Sequence, residues 1–243
     1  LLPHKTVRYP TGEILFSTDS ISVTDILCCN ENALRSIRGN EAAMIFQEPM
    51  TSLNPVFTCG NQVMEAIQLH QHVNPSEARR KSIALFEKVK LPDPEQLFRR
   101  YPHQLSGGQK QRVMIAMAMS CEPSLLIADE PTTALDVTVQ KNILSLIKNL
   151  QQQNNMAVLL ITHDLGLVAD VADEIVVMYK GQIVEKGIAK EVLEKPQHAY
   201  TRALLTCRPA NNSRIMKLPV IENFMGANLK EQEQLAKPPV LNE

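Results

Sequence analysis

The sequence has little of what nucleic-acid-binding and membrane-spanning proteins need. Its 243 residues contain no tryptophan and only 4% aromatic residues, and the formal net charge is −1. Rings that stack on bases and a strongly basic surface are both lacking, which argues against nucleic acid as the main partner. No apolar run approaches the roughly 18 residues that a membrane-spanning helix requires. We therefore expect a chain that is soluble or bound to a membrane surface.

The cysteines are few and scattered, at positions 28, 29, 59, 121 and 207. They form no C-x-x-C pair, and their odd number does not suit a disulfide framework, so we expect reduced thiols in the cytosol. Only Cys207 lies towards the C-terminus, which excludes an iron–sulfur cluster there because such a cluster needs several cysteines. His70 and His72 form a poor metal site, because positions i and i+2 of a helix do not face each other.

Three short apolar runs are each followed by polar residues that could do chemistry. Such runs are typical of strands buried on both faces of a parallel sheet, and ligands bind beyond the carboxyl ends of these strands. The runs are residues 43–46 before Gln47, residues 125–128 before Asp129 and Glu130, and residues 157–161 before Thr162 and His163. One edge of the sheet would then collect an amide, two carboxylates and an imidazole. This set suits transfer of a phosphoryl group to water, although an isolated Asp-Glu-Pro is more often a solvated turn.

A glycine-rich turn precedes the second apolar run. Ser106 is a good helix N-cap, and Gln109 three residues later can close a capping box. Gly107 and Gly108 leave the first-turn N–H groups bare of side chains, so the predicted helix start could bind an anion. Taken alone, such a turn is more often an ordinary helix cap.

Helical and hairpin patterns account for much of the remaining chain. Apolar residues at helical spacing predict two helices over residues 63–69 and 78–89, an extension of the glycine-turn helix over 113–119, and an amphipathic helix over 139–150. The polar residues 151–155 indicate a surface loop, and Lys180-Gly181 indicates a hairpin between residues 175–179 and 182–185. Residues 187–195 are expected to form a short helix.

Together, these motifs resemble those of ABC ATPases, and the chain is identified as a member of that family. The resemblance rests on residues 45–49 (Q-loop), 105–109 (signature), 125–130 (Walker B), 134–136 (D-loop) and 162–164 (H-loop). A complete signature at this distance from an acidic strand end is a specific signal. Residues 50–55 and 198–205 further resemble the oligopeptide and dipeptide importer branch, which includes glutathione and nickel–peptide transporters.

The resemblance implies a P-loop NTPase-type α/β core with a mainly parallel sheet. A β-rich antiparallel N-terminal part and an inserted all-helical subdomain would be attached to it. We expect residues 1–55 to form the N-terminal core and β-subdomain through the Q-loop, residues 56–120 the helical subdomain ending in the signature helix, residues 121–210 the core with Walker B, D-loop and H-loop, and residues 211–243 a C-terminal extension or linker.

The resemblance also implies roles for the motif residues, with ATP and Mg²⁺ as ligands. Glu130 would be the general base, Asp129 would bind Mg²⁺, and Gln47 would reach both Mg²⁺ and the attacking water. His163 would contact the γ-phosphate, and Asp136 would belong to the D-loop. The signature residues would bind nucleotide held by a second ATPase domain; they are Ser106, Gly107, Gly108 and Gln109.

The 243 residues contain no G-x-x-x-x-G-K-[ST] motif. That P-loop, or Walker A motif, supplies the backbone N–H groups and the lysine that hold the phosphates. We therefore expect a truncated chain, in which the complete protein hydrolyses ATP and this stretch alone does so weakly or not at all.

The function implied by the resemblance is ATP hydrolysis that powers import of peptides or similar small solutes. The implied partners are a second ABC ATPase domain (in a homodimer, a heterodimer or a tandem half), integral membrane permease subunits and, indirectly, a solute-binding protein. The implied location is the cytoplasmic face of the inner or plasma membrane. Two alternatives stay open: a soluble ABC-type ATPase acting on nucleic acid or ribosomes, and a non-catalytic subunit that donates its signature.

Overall fold

Residues 11–18, 22–47 and 52–206 are described in the computed structural model. They belong to two compact units, of which the first ends at Thr162 and the second begins at His163. Residues 48–51, which include the end of the predicted Q-loop, lie outside the described residues, as do Cys207 and the predicted extension at 211–243. The predicted domain boundaries stay predictions.

The first unit contains a small antiparallel pair, a parallel sheet and a group of helices. In chain order its described elements are β1 (Leu15–Phe16), β2 (Thr24–Asp25), α1 (Glu31–Ile37), β3 (Ala42–Ile45), α2 (Cys59–Gln71), α3 (Pro75–Lys88), α4 (Pro94–Phe98), α5 (Gly107–Ala118), β4 (Leu125–Asp129), α6 (Val137–Asn154) and β5 (Ala157–Ile161). Short 3₁₀ turns cover Ile26–Cys28, Pro102–Gln104 and Met119–Cys121.

The parallel sheet has the order β3-β4-β5. Ala42 pairs with Leu125, and Leu125 with Ala157, so all three strands run in register and end at the same edge. Short apolar runs separated by helical segments can pair in parallel only through crossovers, which here are α2 to α5 and then α6. The structure therefore confirms the predicted strands and their parallel arrangement.

One face of this sheet is less covered than the sequence suggested. Ile45, Leu126 and Ala128 are fully buried on the inner face, whereas Leu159 and Ile161 on the other face are 52% and 44% exposed. The expectation that β4 is buried on both faces is thus wrong for the described residues, because its side chains alternate between buried and half-buried. Parallel sheets are normally covered on both sides, so this apolar face has room for a further layer.

The helices between β3 and β4 form a close-packed group. Asn74 caps α3 by accepting a hydrogen bond from the backbone N–H of Glu77, with Pro75 at the first helical position, where its missing N–H costs nothing. Phe86 is fully buried in the same cluster as Val63 and Val113, which joins the α2–α4 group to α5. Met114 of α5 is 3% exposed and fills part of this core.

The predicted surface loop at residues 151–155 is wrong over most of its length. Helix α6 runs on to Asn154, and Asn155 ends it in a left-handed conformation with φ of 49°. Glutamine is a good helix former, so polarity alone does not end a helix. The Asn154 side chain also bonds the Leu150 carbonyl at 2.8 Å and accepts from Lys88 at 2.9 Å, which stabilises the last turn.

The second unit is built on a β-hairpin. Its described elements are α7 (Leu165–Val168), β6 (Glu174–Tyr179), β7 (Gln182–Ile188), α8 (Ala189–Glu194) and α9 (Ala199–Thr206). Lys180 and Gly181 have φ values of 49° and 78°, as a type I′ turn requires, so the predicted hairpin is confirmed. The helix expected from residue 187 begins two residues later, because residues 187–188 still pair with β6.

Glu185 of β7 is hydrogen-bonded to the loop before α9. Its carboxylate accepts hydrogen bonds from the backbone N–H groups of Gln197 at 2.7 Å and His198 at 3.1 Å. Burial acts to raise the pKa of this carboxyl, but the hydrogen bonds that it accepts outweigh burial and hold the pKa below its ordinary value. The ionised form is therefore the one that stabilises the loop.

A pH dependence of the second unit follows from Glu185. A carboxyl whose pKa is lowered by folding stabilises the folded state above the unfolded pKa, here about 4.5. That stabilisation is lost as the pH falls through the lower folded pKa. We expect the NMR amide signals of Gln197 and His198 to shift in this acidic range, and Glu185→Gln to remove the shift. Glu174→Gln, in the same hairpin but exposed, is the control; a shift that survives in Glu185→Gln would contradict the assignment.

Candidate functional site

The carboxylate of Glu130 is the centre of the candidate site. Its Oε2 atom accepts a hydrogen bond from Nε2 of Gln47 at 3.0 Å and another from the hydroxyl of Thr133 at 2.9 Å. Gln47 and Glu130 are 83 positions apart in the chain, so this contact depends on the fold. The structure thus brings together the amide and one of the carboxylates that the sequence placed at the same edge.

The strand register explains why these side chains meet. Ile45 of β3 pairs with Ala128 of β4, and each strand ends close to this pair. Gln47 and Glu130 each lie two residues beyond their member of the pair. Equal advances along two parallel neighbours keep the residues side by side, about one strand spacing apart. The contact therefore follows from sequence runs of matching length.

The backbone at Glu130 has an uncommon conformation. Its φ angle is 44°, in the left-handed region that a non-glycine residue adopts at a cost of about 1–3 kcal/mol. The surrounding hydrogen bonds hold it there: the Glu130 N–H donates to the Ile161 carbonyl at 2.9 Å, and the Thr133 N–H donates to the Glu130 carbonyl at 3.2 Å. The first bond ties the turn to β5, so the direction of the Glu130 side chain is set by the sheet.

Asp129 and Gln47 offer the oxygen ligands that Mg²⁺ prefers. Asp129 is the last residue of β4, opposite Ile161, and it is half-buried. Because Gln47 uses its amide nitrogen on Glu130, its amide oxygen is the atom suited to a cation. Among the described residues no group of three or more His, Cys, Asp and Glu side chains is arranged to hold a metal ion. Oxygen donors of these two types suit Mg²⁺, which proteins usually bind through few side chains plus water and phosphate, and the metal-binding roles of Asp129 and Gln47 stay predictions.

The glycine-turn helix α5 begins with the predicted capping box. Oγ of Ser106 accepts from the Gln109 N–H at 3.3 Å, and the Gln109 side chain accepts from the Ser106 N–H at 3.0 Å. Ser106 and Gly107 are exposed, so the start of this helix lies at the surface of the described unit. The Arg112 side chain donates a hydrogen bond to the Val89 carbonyl, which follows α3, at 2.6 Å.

The two glycines of this helix lie against the start of α6. A Cβ atom added to Gly107 would be 3.2 Å from Cδ2 of Leu135, and one added to Gly108 would be 2.9 Å from Cγ1 of Val139. Asp136 caps α6 by accepting from the Val139 N–H at 3.0 Å. The predicted signature and D-loop are therefore in direct contact within one chain. Their roles towards a nucleotide stay predictions.

His163 is the first residue of the second unit, two positions beyond the end of β5. The next residue, Asp164, caps α7 by accepting from the Gly166 N–H at 2.8 Å. The helix is short and ends at Val168. The phosphate-contacting role of His163 stays a prediction.

Thr133 is the site residue that sequence reasoning missed. The sequence Glu-Pro-Thr-Thr after an apolar run does carry a signal, because threonine hydroxyls commonly bond to groups within the same turn. That signal does not say which partner the hydroxyl chooses. The left-handed Glu130 backbone, which brings the carboxylate back over Thr133, is visible only in the structure.

The fold and this site define an ATP-binding cassette, and the chain belongs to the ABC transporter family. A family profile described as ABC transporter matches residues 5–133, which confirms the family predicted from the motifs. Solved structures similar to the chain include a dimeric ATP-binding cassette in a post-hydrolysis state bound to ADP and Pi, with a TM-score of 0.61, 26% identity and coverage of 68% of this chain and 70% of that one. The P-loop NTPase-type fold class is thus confirmed.

Among curated proteins, the chain is similar to ATP-binding subunits of transporters. It is 53% identical over 209 residues to the peptidoglycan transport ATP-binding protein YejF of Agrobacterium fabrum, covering 86% of this chain and 37% of that protein. It is 52% identical over 197 residues to the glutathione import ATP-binding protein GsiA of Escherichia coli, covering 81% of this chain and 32% of that protein. The chain therefore spans about a third of the length of these relatives. Within its described part, no helix has the length and apolar character to cross a membrane.

Proposed function

We propose that the protein is the ATP-binding and ATP-hydrolysing subunit of an ABC importer for peptides or similar small solutes. The contact of Gln47 and Thr133 with Glu130 carries the proposal, because it aims a carboxylate from the end of a parallel strand, where ligands bind in such sheets. The relatives named for glutathione import and peptidoglycan transport support a peptide-like solute.

In this mechanism Glu130 acts as the general base. Its carboxylate takes a proton from water while the water oxygen forms a bond to the γ-phosphorus of ATP and the bond from that phosphorus to the ADP oxygen breaks. Gln47 and Asp129 would hold Mg²⁺, which offsets charge on the phosphate oxygens when bound. Gln47 also keeps Glu130 oriented through its amide nitrogen. His163 is proposed to contact the γ-phosphate.

The exposed start of α5 is proposed to complete a second nucleotide site. Gly107 and Gly108 present N–H groups at a helix N-terminus, where the helix dipole favours phosphate, and Ser106 precedes them as the N-cap. This site would be formed with a second ABC ATPase domain, in a homodimer, a heterodimer or a tandem arrangement. The likeness to a dimeric cassette supports this partner.

The phosphate-holding loop is proposed to come from residues outside the printed sequence, on the same or another polypeptide. The open face of the sheet supports this, because Leu159 and Ile161 are 52% and 44% exposed there. A strand and helix carrying the loop would cover these side chains and pair with the edge of β5. Parallel sheets normally have such a cover.

Permease subunits in the membrane are the proposed second partner. Val56, Phe57 and Leu69 are large apolar side chains exposed near the start of α2 and along it, shortly after the Q-loop. The corresponding loop faces the membrane subunit in the family branch that the sequence resembles. The protein would then work at the cytoplasmic face of the inner or plasma membrane, with a solute-binding protein acting indirectly.

A direct test compares the 243-residue chain with the protein translated from the complete coding sequence. We expect the complete protein to hydrolyse ATP and the chain alone to be at least about 10²-fold slower, since loss of a single charge-stabilising donor already costs 10²–10³-fold. Phosphate release at saturating ATP and Mg²⁺ measures both. Turnover of the isolated chain at the rate of the complete protein would refute the need for an added loop. A complete protein without turnover that still activates a partner ATPase would favour a signature-donating subunit.

A further inference from the structure

Gln47 and Thr133 both donate a hydrogen bond to the same oxygen of Glu130, but they differ in how closely the backbone links them to Glu130. Gln47 lies two residues beyond the end of the neighbouring strand β3 and is 83 positions from Glu130 in the chain. Thr133 comes from the same turn as Glu130, and its backbone N–H also bonds the Glu130 carbonyl at 3.2 Å. The Thr133 contact is therefore local and survives any movement that leaves the turn intact.

Gln47 has a second task that competes with its contact to Glu130. Under the proposed function its amide reaches Mg²⁺ and the attacking water. An amide has one oxygen and one NH₂ group in a fixed plane, so turning the oxygen towards a cation also turns the nitrogen. A small rotation weakens the 3.0 Å bond to Glu130, because hydrogen bonds lose strength steeply with distance and angle.

We propose that Thr133 is the positioning residue that keeps Glu130 aimed when Gln47 turns to its metal and water. The inference rests on the proposed function. Thr133 holds the carboxylate through Oγ1, while the left-handed backbone of Glu130 sets where its side chain begins. Because Thr133 acts through the base, its loss should lower kcat and leave KM for ATP unchanged.

The test uses Thr133→Val, which keeps the shape and removes the hydroxyl, in the protein from the complete coding sequence. We expect kcat for ATP hydrolysis to fall about 10-fold, as for loss of one hydrogen bond to a charged group, with KM within about twofold of wild type. Thr133→Ser should recover most of kcat because it restores the donor. Thr138→Val, an exposed threonine in the first turn of α6, is the matched control and should change neither constant. An unchanged kcat in Thr133→Val, or a Thr133→Ser as slow as Thr133→Val, would overturn the proposal.

A second measurement needs no ATP hydrolysis and separates this inference from the proposed function. Urea unfolding of the 243-residue chain can compare Thr133→Val, Glu130→Ala and the double variant. Each substitution lowers the folding equilibrium constant by some factor. If the hydroxyl bonds the carboxylate, the factor for the double variant should be at least about threefold smaller than the product of the two single-variant factors. Losses that simply multiply would refute the contact, whatever the enzyme does. An intact contact in a complete protein without turnover would instead count against the proposed function.

Discussion

Replacing Glu130 by glutamine should lower ATP hydrolysis by the complete protein by about 10²–10⁴-fold, the usual contribution of a positioned general base. Glutamine has nearly the same shape as glutamate, and its amide oxygen can still accept from Thr133. The amide cannot take a proton from water, however, so the chemical step fails while binding of nucleotide remains. Phosphate release at saturating ATP should report the loss, and the nucleotide recovered from the variant should be ATP rather than ADP.

The matched control is Glu122→Gln. Glu122 also has a left-handed backbone, with φ of 50°, and lies just before the start of β4, at the end opposite Glu130. Both variants therefore exchange an acid for its amide at a left-handed backbone position. We expect Glu122→Gln to hydrolyse ATP at the wild-type rate. If Glu130→Gln kept more than about a tenth of wild-type turnover, Glu130 would not be the base.

The position of Gln47 beside Glu130 could be predicted from the sequence because two physical rules are enough for it. Parallel strands pair in register when their apolar runs have similar lengths, and residues just beyond them share one edge. The capping box at Ser106 was also predictable, since it needs only local geometry over four residues. For Gln47 and Glu130 the strand register sets the distance between the two residues. For Ser106 and Gln109 the separation of three residues sets it, so neither distance requires knowledge of the packing.

Other features depended on choices that the sequence leaves open. The Thr133 hydroxyl has several possible acceptors within its turn, and the strained backbone of Glu130 decides between them. Helix α6 continues through a polar stretch to Asn154. The Asn154 side chain is hydrogen-bonded to the Leu150 carbonyl and to Lys88, and the contact with Lys88 is known only from the folded structure. Leu159 is exposed because no described element of the first unit covers that face of the sheet. The apolar pattern of a strand does not show which elements will cover it.

Gly108→Ala should impair both the stability of the chain and the activity of an assembled pair of ATPase domains. The added Cβ would be 2.9 Å from Cγ1 of Val139, so the side chain or the helix must shift. Overpacking of this kind costs about 1–3 kcal/mol, and only about 0.5–1 kcal/mol is offset by the better helix propensity of alanine. The methyl group would also add bulk at the helix start, whose N–H groups are proposed to meet the partner's nucleotide. If the phosphate is thereby kept from one such donor, the expected cost is about 10²–10³-fold in rate.

A second substitution separates these two effects. In Gly108→Ala combined with Val139→Ala, the clash is relieved because the atoms that the new Cβ would meet are gone. Urea denaturation measures the free energy of unfolding of each variant. We expect Gly108→Ala to lower it much less when Val139→Ala is already present than when it is made in the wild-type chain. Stimulation by the double variant of a partner domain that carries a Walker A motif should stay low, because the methyl group still covers the helix start. Recovery of both properties would show that Gly108 serves only the packing of α5 against α6, and the phosphate-binding role of the signature would then need another residue.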